Sequence, residues 1–271
     1  WSSDVCSSDL KDKEVLCMRF VITKDYDELS HVISAVMLKH MHTDKPRVNI
    51  CVTTGTTPIR AYKILAPMVK DRSYFDQVHY YVVDEFWYAK EPGTQGEDIP
   101  VNKMSMDMKF FHAANIPEER IHTLHDDNVA CFDDEIQKAG GMELVVMGIG
   151  TDGHFCGNHP GTFQNWKEGS HCIDRYCTPQ VNELLEFLLK DDIHSDNMSR
   201  IPDHYLTMGP KTIMDARNIV MIFSGKAKAE TVRRAFFGPV TMDFPVSIFQ
   251  LHPHVSILLD EDAASQISEF L

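Results

Sequence analysis

Six short, almost unbroken apolar runs punctuate this chain, at residues 19–23, 48–52, 78–83, 144–149, 219–223 and 255–259. A strand that is apolar at every position is one buried on both faces, as in a parallel sheet covered by helices. Between the runs, residues 25–41 place Leu29, Val32, Ile33, Val36 and Met37 at helical spacing. Residues 59–69, 104–112 and 226–237 also read as helices. This alternation predicts an α/β fold: a single doubly wound, mostly parallel sheet with right-handed crossovers and helices on both faces, Rossmann-like in architecture. No Pro/Gly/Ser linker, repeat or low-complexity tract divides the chain. Residues 162–205, rich in Asp, His and Asn, are the least regular part and read as a flexible cover over a site.

The 271 residues are 43% hydrophobic, enough for a packed core and too much for a disordered chain. Forty acidic side chains against 26 basic ones leave a net charge of −14 with no basic cluster. That balance argues against nucleic acid or an anionic membrane surface as the main partner. A small anion is still allowed, because a few local donors override the global field. No apolar run approaches the ~20 residues of a membrane-spanning helix. Seven cysteines, Cys6, Cys17, Cys51, Cys131, Cys156, Cys172 and Cys177, are odd in number and form no C-x-x-C pair. They argue against a disulfide framework or structural zinc and for a reducing cytoplasm. The first residues lack the marks of a signal peptide, an initiator Met and any periodicity. Residues 1–17 are therefore expected to be a leader foreign to a domain spanning 18–271.

In a doubly wound sheet, ligands bind beyond the carboxyl ends of the strands. Three such places carry unusual chemistry. After the second run comes Thr53-Thr54-Gly55-Thr56-Thr57-Pro58. Gly55 permits close backbone approach, Pro58 suits a first helical turn, and the helix start offers free N–H groups. Such a loop binds phosphate well, although threonines also serve as ordinary helix caps. The third run ends in Asp84-Glu85 among aromatic residues. Neighbours on a strand face opposite ways, so the two acids have different tasks. Desolvation would raise the pKa of the one in apolar surroundings and suit it to carbon acid–base work. The plainer alternative is that both acids cap the turn.

The third place is Gly148-Ile149-Gly150-Thr151-Asp152-Gly153-His154-Phe155-Cys156-Gly157-Asn158-His159-Pro160-Gly161. Its glycines let the backbone fold tightly around a ligand. Asp152 lies two residues from His154, close enough to orient a proton-shuttling imidazole. The G-x-G-x-x-G dinucleotide fingerprint is absent. His154-x-Cys156-x-x-His159 as a metal motif has no obvious fourth ligand. His252-x-His254 reads as a surface turn around Pro253.

Together these stretches resemble the glucosamine-6-phosphate isomerase/deaminase and 6-phosphogluconolactonase superfamily, in order from about Met18 to the end. Thr54-Gly55-Thr56-Thr57-Pro58 is similar to its T-G-G-T-P loop, Asp84-Glu85 to the deaminase D-E-Y, and Gly148 to His154 to G-x-G-x-D-G-H. Tyr205-Leu-Thr-Met-Gly209, Ser224 to Ala229 and Leu251-His252-Pro253 also match deaminase segments. The resemblance implies a sugar phosphate as partner, no redox cofactor or metal, and an oligomer by analogy. It implies Asp84 as the base at C2, His154 as the ring-opening group, and Asp152 as its orienter. Thr54, Gly55, Thr56, Thr57 and Lys228 would hold phosphate, with Lys226 as the neighbouring candidate. Glu85, Gly150 and Gly153 would complete the substrate site. Arg175 and Arg200 are candidates for the family's phosphate arginine.

Two departures stand out. His159 occupies the place of a family glutamate in the ring-opening relay, and restoring that glutamate is expected to raise activity. Thr56 replaces a glycine, which implies a differently shaped loop. Asp84-Glu85 and Lys228 favour a deaminase. Pro160-Gly161 resembles the lactonase ending, although Phe86 stands where lactonases carry arginine. A non-catalytic sugar-phosphate-binding module is the third reading, with no helix-turn-helix pattern to support it.

Overall fold

The computed structural model describes residues 2–4 and 17–270, so the expected leader lies outside the described residues except at residues 2–4 and 17. Seven parallel strands form one sheet in the order Cys17–Thr23, His254–Asp260, Ile219–Phe223, Leu144–Gly148, Val48–Val52, Val78–Val82 and Ile121–His122. Ser2–Asp4 pairs antiparallel along its Cys17–Thr23 edge. The apolar runs become strands because each can bury both faces. Val48, Ile50 and Val52 pack with Tyr80, Val82, Leu144 and Val146 on one side. Cys51, Tyr81, Val145 and Met147 pack on the other. Helices Tyr26–Met41 and Ile59–Val69 cover the first face, and Phe132–Lys138 and Ala229–Phe237 the second. The first helix starts where Asp25 Oδ1 accepts a hydrogen bond from Glu28 N at 3.0 Å, and it buries Leu29, Ile33 and Met37.

The winding places the site. From Val48–Val52 the chain builds outward through Val78–Val82 to Ile121–His122. It then returns to Leu144–Gly148, directly beside Val48–Val52, and builds the other way through Ile219–Phe223 and His254–Asp260. The direction reverses between those two central strands. Their following loops diverge there and open a crevice at the carboxyl edge of the sheet.

Several expected elements differ in detail. The helix expected over 104–112 begins earlier, as Val101–Met106, and runs through a π-helical turn, Asp107–Phe111, to His112–Ala114. Residues 162–205 are more regular than expected. They hold strand His171–Asp174, helix Pro179–Asp191 and strand His204–Thr207. The two strands pair antiparallel with each other, and His204–Thr207 pairs with Asp84–Glu85. The helix has its own start signals: Thr178 caps Val181 N at 3.3 Å and Pro179 sits in the first turn. Val181, Leu185 and Leu189, one face at spacing four, are buried against Tyr88, Ile173 and Tyr205. Burying each is worth about 1.5–3 kcal/mol, which outweighs the polar bias of the sequence around them. His252 is buried rather than on a surface turn, its Nε2 2.9 Å from the Ala216 carbonyl. Among the described residues no helix is long and apolar enough to cross a membrane.

Candidate active site

The threonine loop presents a row of free donors. The N–H groups of Thr54, Gly55, Thr56 and Thr57 reach no protein acceptor among the described residues. The loop's carbonyls are drawn back into the protein. Tyr62 Oη donates to Thr53 O at 2.9 Å, Lys109 Nζ to Thr54 O at 2.6 Å and Tyr26 Oη to Thr57 O at 3.0 Å. In a planar trans peptide the next N–H points away from the carbonyl. The N–H groups of Thr54 and Gly55 are thereby turned outward. A Cβ on Gly55 would meet nothing within 4 Å, so its open side faces free space. Thr56 keeps an ordinary backbone conformation, and the loop accommodates it without positive φ. Row and helix start together make an anion cradle.

Asp84 and Glu85 divide as strand alternation predicts. Asp84 lines the crevice, where Asn102 Nδ2 donates to its Oδ1 at 2.6 Å. Burial pushes its carboxyl up to about 7. Glu85 points the other way, is fully buried and does not line the crevice, contrary to its expected place among the substrate residues. Its carboxylate accepts from Phe86 N at 3.0 Å, Asn102 N at 2.7 Å and Lys103 N at 2.9 Å. Glu85 thus caps the helix that carries Asn102. Burial raises it to about 8 against the pull of those three donors.

The glycine turn closes on itself, with Gly150 N donating to His154 O at 3.0 Å and Gly153 N to Gly150 O at 3.0 Å. Asp152 Oδ1 lies 2.6 Å from His154 Nδ1, and its Oδ2 lies 3.3 Å from His159 Nδ1. The two imidazole centroids lie 4.0 Å apart, with the rings tilted by 31°. One carboxylate therefore holds two histidines. Burial works against the Asp152 charge, but the histidine hydrogen bonds outweigh it and keep the carboxyl well below its usual range. Burial lowers His154 despite the pull of Asp152, so the ring is neutral at neutral pH. A Cβ on Gly150 would overlap His154 Nδ1 and Asp152 Oδ1, so a side chain there would displace the pair. Gly153 has φ +82° and lies against the Phe244 ring, behind the turn rather than on the crevice.

One cavity of about 340 Å³ gathers these pieces. Thr54, Gly55, Thr56, Thr57, Asp84, Gly150, His154, His159 and Lys228 all line it. Lys228 Nζ donates to Ile149 O, and burial lowers its pKa. Lys226 does not reach the cavity. Neither does Arg200, whose guanidinium pairs with Glu91 Oε2 at 2.7 Å, nor Arg175, which stacks on Tyr176. Sequence reasoning missed Asn102, Phe86, Leu184, Leu188 and Cys156 in the wall. Cys156 has φ +49°, a conformation rare outside glycine, at a lining position. Leu184 and Leu188 lie on a helix whose apolar spacing is masked by the charged residues around it.

The family described as glucosamine-6-phosphate isomerases/6-phosphogluconolactonase matches residues 25–182, more than half of the chain. The glucosamine-6-phosphate deaminase of Alkaliphilus metalliredigens is 31% identical over 258 residues, covering 92% of this chain and 100% of its own. That of an Arthrobacter species is 33% identical over 231 residues, covering 82% and 83%. A solved monomeric glucosamine-6-phosphate deaminase superposes with a TM-score of 0.73 at 25% identity, covering 91% of this chain and 99% of its own. The 6-phosphogluconolactonase of Trypanosoma brucei gives 0.62 at 18% identity over 92% and 98%, a likeness of fold alone.

Proposed function

The chain belongs to the family of glucosamine-6-phosphate isomerases and 6-phosphogluconolactonases, and on that footing we propose that it converts a phosphorylated amino sugar, glucosamine 6-phosphate or a relative, into a ketose phosphate and ammonia. The observation that carries this reading is the pairing, in one cavity, of a carboxylate poised near neutrality with an anion cradle and an oriented histidine.

The phosphate sits on the N–H row of residues 54–57 and against Lys228. Anchored there, the sugar carbons lie close to the acid–base groups, which supplies the proximity contribution. His154, neutral and oriented by ionised Asp152, takes the anomeric hydroxyl proton and returns it to the ring oxygen as the ring opens. His159 holds the second oxygen of Asp152 and fixes the carboxylate that fixes His154. Asp84 takes the proton from C2 and delivers it to C1 while an amine proton passes to O1, which leaves an imine at C2. Water adds at C2 as the amine leaves, so the products are ketose phosphate and ammonia. A carboxyl near 7 suits this base, because proton transfer is most effective when the pKa lies near the working pH.

Ammonia release from glucosamine 6-phosphate, run beside hydrolysis of 6-phosphogluconolactone, tests the reading. Release that is lost in Asp84→Asn supports it. Lactone hydrolysis that ignores Asp84 but needs His154 would replace it with a lactonase. Saturable sugar-phosphate binding without either turnover would leave a binding module.

A further inference from the structure

We propose that Asp126, Cys172 and His204 form a binding site for a zinc-class divalent cation, outside the sugar-phosphate cavity. Asp126 comes from the loop that follows strand Ile121–His122, and the other two from the paired strands His171–Asp174 and His204–Thr207. The antiparallel register sets Cys172 opposite Leu206 and Asp174 opposite His204. Cys172 and His204 are thus diagonal neighbours on one face of the small sheet, close enough for their side chains to meet. One ligand atom from each of the three residues lies within 4.8 Å of the others. His204 Nε2 is already 2.7 Å from Asp126 Oδ1.

The donor set selects the ion. Tetrahedral zinc holds sulfur at about 2.3 Å and nitrogen or oxygen at about 2.0–2.2 Å, which places ligand atoms roughly 3.3–3.7 Å apart. Parting the His204–Asp126 contact by less than about an ångström reaches that spacing. A thiolate, an imidazole and a carboxylate suit a borderline-soft ion, whereas magnesium and calcium take oxygen ligands. Asp126 and Cys172 are exposed and His204 is partly so, leaving an entry path and a fourth position for water. On binding, the Cys172 S–H bond breaks, its proton passes to solvent, and the sulfur lone pair forms the metal bond. His204 gives its Nε2 lone pair and keeps its proton on Nδ1.

The site also bears on the cavity cover. Strand His204–Thr207 carries Tyr205, and strand His171–Asp174 leads into helix Pro179–Asp191 with Leu184 and Leu188, all three cavity-lining. A bound ion would tie the base of that cover to the loop at Asp126.

Titrating the full chain with cobalt(II) alone tests the proposal. The expected result is a thiolate-to-cobalt charge-transfer band that zinc(II) abolishes by displacement. The band should be lost in Cys172→Ser and in His204→Ala, with circular dichroism unchanged, and kept in Cys156→Ser. Asp152, His154 and His159 also come within reach of one ion but offer no thiol, so that group cannot produce the band. A chain that gives no band, or a band that survives either Cys172→Ser or His204→Ala, overturns the proposal.

Discussion

Replacing Asp84 by asparagine should make the protein more stable at neutral pH while removing its chemistry. Burial raises this carboxyl from 3.8 to about 7. An acid whose folded value exceeds its unfolded value binds its proton more tightly in the fold. Below about pH 3.8 both states are protonated and the group costs nothing. As the pH rises from there to about 7, the unfolded chain ionises first and stability is lost. Above about 7 the penalty is constant. The whole difference is worth roughly 4 kcal/mol at about 1.36 kcal/mol per pH unit. Asp84 is only partly buried and lines the cavity, so about half of that, roughly 2 kcal/mol, is the working figure. An asparagine keeps an acceptor for Asn102 Nδ2, now 2.6 Å from Asp84 Oδ1, and carries no charge to desolvate. Urea unfolding of both proteins near pH 8 and near pH 4.5 reads the effect. The variant should be the more stable near pH 8, with the gap shrinking toward acid. Ammonia release should fall by about 10²–10⁴-fold, and in the parent it should rise with pH through about 7 as Asp84 loses its proton. A variant no more stable near pH 8 than near pH 4.5, relative to the parent, would show that Asp84 ionises without cost and refute the reasoning.

Three further outcomes follow from the geometry. Gly150→Ala places a methyl on His154 Nδ1 and Asp152 Oδ1, so kcat should drop by about 10²-fold or more while the thermal midpoint moves little; unchanged kcat would mean the Asp152–His154 contact is not needed. His159→Glu, which the family pattern alone expects to raise activity, should lower it. The new carboxylate would face Asp152 Oδ2 where His159 Nδ1 now lies at 3.3 Å, and the like charge would loosen the Asp152 grip on His154; a rise in kcat would reinstate the family relay. His79 and His122, 3.0 Å apart, are both lowered to about 4, chiefly by burial. Their unfolded value is higher, so the unfolded chain takes protons first and stability is lost as pH falls from about 6.5 to about 4. His122→Phe should flatten that fall in thermal-shift profiles; a parallel profile would clear the pair of any part in acid unfolding.

What could be read in the sequence, and what could not, follows from the range of the forces. The sheet was legible because strands buried on both faces must be apolar at every position, as in Val48–Val52, where all five residues are buried. The Asp152–His154 contact was legible because it spans two residues on a tight turn. Asn102 was not. It is 18 residues from Asp84, and only the capping of its helix by Glu85 delivers its amide to the Asp84 carboxylate. The same capping explains why Glu85 could be mistaken for a substrate residue. A fully buried acid with three backbone donors and a surface-facing acid look identical in a row of letters. Helix Pro179–Asp191 was obscured by charge rather than by distance. Its buried Val181, Leu185 and Leu189 stand among Asn182, Glu183, Glu186 and Lys190, which dominate the local composition.

Asp84 and the proposed phosphate cradle also depend on each other. Sharing one cavity, a bound phosphate dianion would raise the Asp84 carboxyl further by like-charge repulsion, and a base held protonated cannot take the C2 proton. The proposed chemistry therefore requires the phosphate charge to be met where it sits. In a chain of net charge −14 the global field cannot do this. The four unpaired N–H groups of residues 54–57 and the Lys228 ammonium can, since they line a partly desolvated cavity. Burial lowers Lys228, and a phosphate beside it would raise it again. Phosphate and ammonium would thus favour each other's charge and shield the aspartate, which ties the acidity of both side chains to occupancy of the proposed cradle.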